Sequence, residues 1–134
     1  MSGAAVILDT SAIMAILFQE ADAQRFSDAI AAAPRRAISA ATLVEAGIVA
    51  EGRGGAPLRE DMDALLARAR TEVAAFTAEH AALAAEGWRR YGKGRHPAGL
   101  NLGDCFAYAL AQSRGEPLLF KGTDFAQTDV KAAL

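Results

Sequence analysis

Ala5-Val6-Ile7-Leu8-Asp9 decides how the rest of the chain is read: four apolar residues run without alternation and stop on an acid. A short unbroken apolar run is a strand covered on both faces, as in a parallel sheet. Thr10 and Ser11 then offer an N-cap for a helix that continues through Phe18. A second helix is expected over 22–33, where Phe26 and Ile30 share a face and Pro34 ends the run. Arg36-Ala37-Ile38 reads as a second strand, and Ser39 or Thr42 starts a helix that reaches Gly52. The glycine-rich stretch 52–57 is expected to be a turn, followed by a helix carrying Met62, Leu65 and Leu66. Residues 72–76 form a third strand, and Thr77 caps a helix bearing Leu83 and Trp88. Three glycines and a proline make 91–99 a loop, and Asn101 caps a helix over 102–113. Leu118-Leu119-Phe120 is the fourth strand, with an edge strand expected near Val130. Strands alternating with helices give an α/β class, with a mostly parallel sheet of four to five strands covered on both faces. Residues 1–134 are expected to form one domain.

Composition agrees with a folded chain. Of 134 residues, 52% are hydrophobic and 22% charged, which excludes extensive disorder. The net charge of −2 excludes a generally basic nucleic-acid coat, so any nucleic-acid role rests on a local patch. The one cysteine, Cys105, has no internal disulfide partner, which points to a reducing compartment. The apolar stretch 12–18 covers about two helical turns, short of the roughly 20 residues a membrane span needs. The N-terminus has no basic segment followed by an apolar run and a cleavage site, so no signal peptide is expected and the cytoplasm is the expected location.

Four carboxylates carry the chemical reading. Asp9 follows a buried strand, where open α/β sheets place their ligands, although a helix cap is its plainer role. Glu45 is the only charged residue in 39–50, and an unpaired carboxylate in so apolar a helix costs several kcal/mol without a donor, a cation or a metal. An exposed helix stripe or a salt bridge is the plainer reading. Asp104 falls in the first turn of a helix, where it also suits a capping role or the helix dipole. Asp124 follows the fourth strand, where an Asx-type turn would account for it. Together they put acids after two strands and at or within two helices. Clustered carboxylates repel and raise one another's pKa. Mg²⁺ relieves that repulsion, because it takes hard oxygen ligands, keeps several waters and needs one or two carboxylates directly. Such an ion serves phosphodiester hydrolysis.

The segments Val6-Ile7-Leu8-Asp9-Thr10-Ser11-Ala12, Ser39-Ala40-Ala41-Thr42-Leu43-Val44-Glu45, Gly99–Ala111 with Asn101-Leu102-Gly103-Asp104 at its centre, and Leu118-Leu119-Phe120-Lys121-Gly122-Thr123-Asp124-Phe125 resemble the PIN-domain nucleases, specifically the VapC-type toxins. The resemblance spans nearly the whole chain. It implies a three-layer α/β/α fold and a Mg²⁺-dependent endoribonuclease, with Mn²⁺ as a possible substitute ion. Asp9 and Asp104 would be the direct metal ligands, Glu45 and Asp124 would complete the catalytic cluster, and Ser11 and Thr10 would position it by hydrogen bonds. It further implies a VapB-like antitoxin that blocks the acidic pocket, and a homodimer. A non-catalytic RNA-binding or regulatory module is the alternative; it would be expected to lack one of the carboxylates. An Asp-x-Asp phosphatase would need an acid where Ser11 stands, and a receiver-like domain would need an acceptor Asp after a middle strand.

The basic stretch Arg89, Arg90, Lys93, Arg95 and His96 reads either as a phosphate-gripping arm or as a solvated helix end. Lys121 is a further candidate phosphate contact. Cys105 lacks a neighbouring base and is expected to pack rather than react; His80 is expected to be structural. The apolar helix 12–18 is either covered by other helices or left for a partner.

Overall fold

The computed structural model describes residues 5–134. Four strands, β1 (Ala5–Leu8), β2 (Arg35–Ser39), β3 (Glu72–Ala74) and β4 (Leu118–Leu119), form one parallel sheet in the order β3-β2-β1-β4. The helices are α1 (Thr10–Leu17), α2 (Ala23–Ala32), α3 (Ala40–Arg68), α4 (Ala78–Tyr91) and α5 (Leu102–Arg114). Every residue of β1 is buried, as its unbroken apolar run requires. Successive strand residues point to opposite faces. Ala5 and Ile7 accordingly join one core with Tyr108 and Leu110 of α5 and Ala84 of α4. Val6 and Leu8 join another with Ile13 of α1, Phe26 and Ile30 of α2, and Met62 and Leu66 of α3. The result is the three-layer α/β/α arrangement that the resemblance implies, with α4 and α5 on one face and α1, α2 and α3 on the other.

Several boundaries differ from the sequence reading, for physical reasons. β3 stops at Ala74 because its partner residue Ser39 ends β2, and β4 stops at Leu119 because its partner Leu8 ends β1. Neither strand has anything to pair with beyond those points. The cap of α1 is Asp9 rather than Thr10 or Ser11: its Oδ2 accepts the Ser11 amide at 3.0 Å. Stretch 52–57 is not an open turn but a sharp break within α3. Gly55 takes φ 69 and ψ −166, a conformation that needs glycine, and Pro57 sits at the start of the next helical segment. The C-terminal tail touches the sheet through one parallel bridge from Leu118 to Ala132. The sheet therefore has four strands among the described residues, with no edge strand at Val130. Helix α1 is covered by α2 and α3, and of the two readings of its apolar surface the packed one holds.

The strand order places the site. The chain steps from β1 outward to β2 and β3, then crosses back to lay β4 on the other side of β1. The carboxyl end of β1 is therefore a topological switch point, where the connections diverge and leave a crevice. Among the described residues, no helix is long and apolar enough to cross a membrane.

Candidate functional site

A pocket of about 310 Å³ opens at that crevice, lined by Asp9, Thr10, Ser11, Met14, Glu20, Glu45, Val49, Arg53, Asn101, Asp104 and Lys121. Asp9 leaves the end of β1, anchored by its amide donating to the Leu119 carbonyl at 3.1 Å. It is only 3% exposed. Ser11 holds its carboxylate twice over, through the backbone amide and through the hydroxyl, which donates to Oδ2 at 2.5 Å. The same hydroxyl accepts the Lys121 amide at 2.9 Å, which ties the segment after β4 to the start of α1.

Glu45 comes from α3, whose start is fixed by Ser39 Oγ accepting the Ala41 amide at 3.2 Å. Its Oε1 accepts the Thr10 hydroxyl at 2.5 Å, and its carboxylate lies so close over Gly103 that a Cβ there would overlap it. Asp104 stands in the first turn of α5 in a reciprocal cap. The Asn101 side chain accepts the Asp104 amide at 2.8 Å, and Asp104 Oδ2 accepts the Asn101 amide at 3.0 Å. Asp104 thus has both the capping role and a place at the pocket.

These acids feel one another. Burial pushes Asp9 up to about 6, against the Ser11 hydrogen bonds and with the charge of Glu45 adding to the rise. Burial also pushes Asp104 up to about 7, opposed by the Asn101 amide and reinforced by the like charges of Asp9, Asp124 and Glu45. Asp124 is exposed and stands outside the pocket wall, yet close enough to act on Asp104. Among the described residues, none of the four forms an ion pair with lysine or arginine, whereas Glu20, Asp22, Glu72, Glu86, Glu116 and Asp129 all do.

No three of the described His, Cys, Asp and Glu side chains form a ready-made metal cage. The donor set nevertheless fits Mg²⁺: hard carboxylate oxygens without cationic partners, beside hydroxyls, where one or two direct carboxylates and several waters complete the shell. Asp9 and Asp104 are the side chains that could hold the ion. The raised pKa of each is a cost that a cation would remove.

The basic stretch lies elsewhere. Arg89 pairs with Glu86 at 3.2 Å and Arg90 with Asp129 at 3.1 Å. Arg95 lies 4.5 Å from the Trp88 ring centre and donates to the Arg89 carbonyl. His96 Nδ1 accepts the Ala98 amide at 3.0 Å, and its ring meets Tyr91 edge-on. Neither Arg95 nor His96 lines the acidic pocket, because stacking and capping contacts hold both at the end of α4. Lys121 does line it, but its ammonium is held by Glu20 and by Asp22 at 3.1 Å, so it does not offer a free charge to phosphate. Cys105 is buried, and its thiol is pushed up to about 11 by burial first and then by Asp104. It packs, as its lack of a base suggested. His80 is buried against the Phe76 edge at the start of α4.

Arg53, absent from the sequence reading, also lines the pocket. The signal was available as spacing: positions 45, 49 and 53 fall on one helix face and all three line the wall.

A PIN domain family model matches residues 6–131, and the chain belongs to that family. It is 50% identical over 127 residues to Ribonuclease VapC of Mycolicibacterium smegmatis, covering 95% of this chain and 98% of that one. It is 47% identical over 125 residues to Ribonuclease VapC30 of Mycobacterium tuberculosis, covering 93% and 95%. Within the PIN family it is a VapC-type member. Its fold superposes with a TM-score of 0.77 on Mycobacterium tuberculosis VapC20, a Sarcin-Ricin loop cleaving toxin, at 18% identity over 94% of this chain and 96% of that one. A chain of a toxin-antitoxin complex from Klebsiella pneumoniae superposes with a TM-score of 0.68 at 22% identity, covering 93% of each.

Proposed function

We propose that the chain is the toxin of a type II toxin–antitoxin pair, a Mg²⁺-dependent endoribonuclease acting at Asp9, Glu45, Asp104 and Asp124. The observation that supports this reading is that Asp9, Glu45 and Asp104 line one pocket at a switch point, with Asp124 near enough to act on Asp104, and that among the described residues none of the four has a lysine or arginine ion pair. The ribonuclease relatives support it.

Bound Mg²⁺ would supply positive charge to the phosphoryl oxygens and make a water more acidic. The chain's own residues do the rest. Asp9 and Asp104 hold the ion, and Ser11 holds Asp9 in one rotamer. Glu45, fixed by Thr10, orients the attacking water and takes its proton, while Asp124 contributes negative charge at the rim. The water oxygen forms a bond to phosphorus, the bond from phosphorus to the 3′-oxygen breaks, and that oxygen takes a proton. The products are a 5′-phosphate and a 3′-hydroxyl.

A VapB-like antitoxin and a homodimer belong to the same proposal. Val44 and Ile48, one turn apart on α3, and Leu102 at the start of α5 are apolar and exposed beside the site, which suits a protein partner.

The test is direct. Purified protein free of antitoxin should cleave total RNA in Mg²⁺ or Mn²⁺ and stop when EDTA is added. Cleavage that persists in EDTA overturns the mechanism. RNA binding without cleavage in either metal would favour the non-catalytic module.

Gly103→Ala probes the positioning of Glu45 without touching an acid. The added methyl must displace the Glu45 carboxylate. Since small misplacements of reacting groups cost large rate factors, kcat should drop about tenfold or more. Helix α5 should keep its stability, because alanine is the better helix former. Unchanged kcat by single-turnover assay would remove Glu45 from the reaction.

A further inference from the structure

Two cations line the acidic pocket, Lys121 and Arg53, and only one of them is spent. Lys121 is neutralised by Glu20 and Asp22. Arg53, exposed on α3, has no ion-pair partner among the described residues, although it shares the pocket wall with Asp9, Glu20, Glu45 and Asp104. Its guanidinium instead lies over the Phe18 ring, 5.2 Å from the centroid. Phe18 is the residue that ends α1, so the ring is held by the helix that Asp9 caps. Cation–π contact restricts an otherwise mobile side chain while leaving its N–H donors free. The break at Gly55 follows two residues later and ends the first segment of α3 just past this position.

A polyanion entering this pocket meets several carboxylates. It needs a fixed positive charge on the wall that those carboxylates have not already consumed. Guanidinium is always charged and pairs with phosphate oxygens through two parallel hydrogen bonds. We propose that Arg53 is the residue that grips an RNA backbone phosphate beside the acidic cluster, with Phe18 as the residue that positions it. The inference rests on the ribonuclease reading for its substrate. It goes beyond that reading in assigning substrate binding to a residue outside the four acids and outside the basic stretch at the end of α4.

The test separates binding from cleavage. A short fluorescein-labelled single-stranded RNA of mixed sequence is titrated with wild type, Arg53→Ala, Arg53→Lys and Phe18→Leu in EDTA, over a series of salt concentrations. Kd is read by fluorescence anisotropy. Arg53→Ala should weaken binding several-fold and reduce the slope of log K against log salt by about one, as expected when one phosphate contact is lost. Arg53→Lys should restore the slope but only part of the affinity, and Phe18→Leu should weaken binding while keeping the slope. In Mg²⁺ the loss in Arg53→Ala should fall on KM more than on kcat. Far-UV circular dichroism and thermal midpoints check the fold; Arg53 is exposed, so these should hold. Unchanged Kd and slope in Arg53→Ala overturn the proposal, as does a wild type that binds no RNA at any salt. If wild type binds RNA through Arg53 but cleaves none in Mg²⁺ or Mn²⁺, the ribonuclease reading fails and the phosphate contact stands. If wild type cleaves and Arg53→Ala matches it in KM and salt slope, only the Arg53 assignment fails.

Discussion

Asp9→Asn and Asp104→Asn should each remove RNA cleavage and leave the fold standing. The loss should exceed the roughly 100-fold that disturbing a metal site's outer shell costs, because these are the two side chains proposed to hold the ion itself. Asparagine keeps the shape and one acceptor oxygen at each position. At Asp9 that oxygen still accepts the Ser11 amide and hydroxyl that fix the start of α1. At Asp104 it still accepts the Asn101 amide of the reciprocal cap. Only the charge goes. The comparison that decides the matter is cleavage against stability in the same variants. A structural acid would lose both together. These acids should lose cleavage while the metal-free protein holds or gains stability, because each is a poorly compensated charge in the fold. Activity retained by either variant, followed on total RNA in Mg²⁺, removes that residue from the site.

Much of this was legible along the chain because the signals were local. The β1 run, the Pro34 stop, the Thr77 and Asn101 caps, and the Phe26/Ile30 pair all depend on neighbours within a turn or two, and all stand in the fold. Strand ends were less legible, since pairing sets them. β3 and β4 stop where β2 and β1 turn into helices, which no property of 75, 76 or Phe120 reveals. The break in α3 was visible as a glycine-rich stretch with a proline. Its form, one left-handed glycine between two helical segments rather than an open turn, depends on how both segments pack against the sheet.

The site divides in the same way. Asp9, Glu45 and Asp104 could be singled out because acids at strand ends and in apolar helices are costly and need a reason. The cationic side was legible only in part. Charge counted along the sequence picks out the dense cluster from Arg89 to His96 but not its place: Arg89 and Arg90 are ion-paired, and none of its residues lines the acidic pocket. Arg53 is a single arginine between glycines. It becomes conspicuous only when the pocket wall shows which positive charges already have partners.

The stability of the metal-free protein should fall as pH rises from about 4 through about 7, opposite to the usual behaviour of paired carboxylates. The folded state raises Asp9 from its ordinary 3.8 to about 6 and Asp104 to about 7. In that interval the folded chain holds protons that the unfolded chain has already released. Stability tied to those protons is complete below the ordinary carboxylate range and is lost as pH climbs through the folded values. For the deeply buried Asp9 alone, a rise from 3.8 to about 6 corresponds to about 3 kcal/mol. Glu72 works in the other sense: its hydrogen bond to Arg114 lowers its pKa, so its contribution fades only as pH falls below the ordinary range. Urea midpoints in EDTA across this pH range should therefore drop toward neutrality, and Asp9→Asn should flatten part of the drop. Saturating Mg²⁺ should flatten it too, because an ion that binds ionised carboxylates stabilises the folded state by mass action where the protons have left. A profile that is flat in EDTA would show that Asp9 and Asp104 ionise as easily folded as unfolded. A drop that saturating Mg²⁺ does not touch would show that the strained charges are real and that the ion does not bind them.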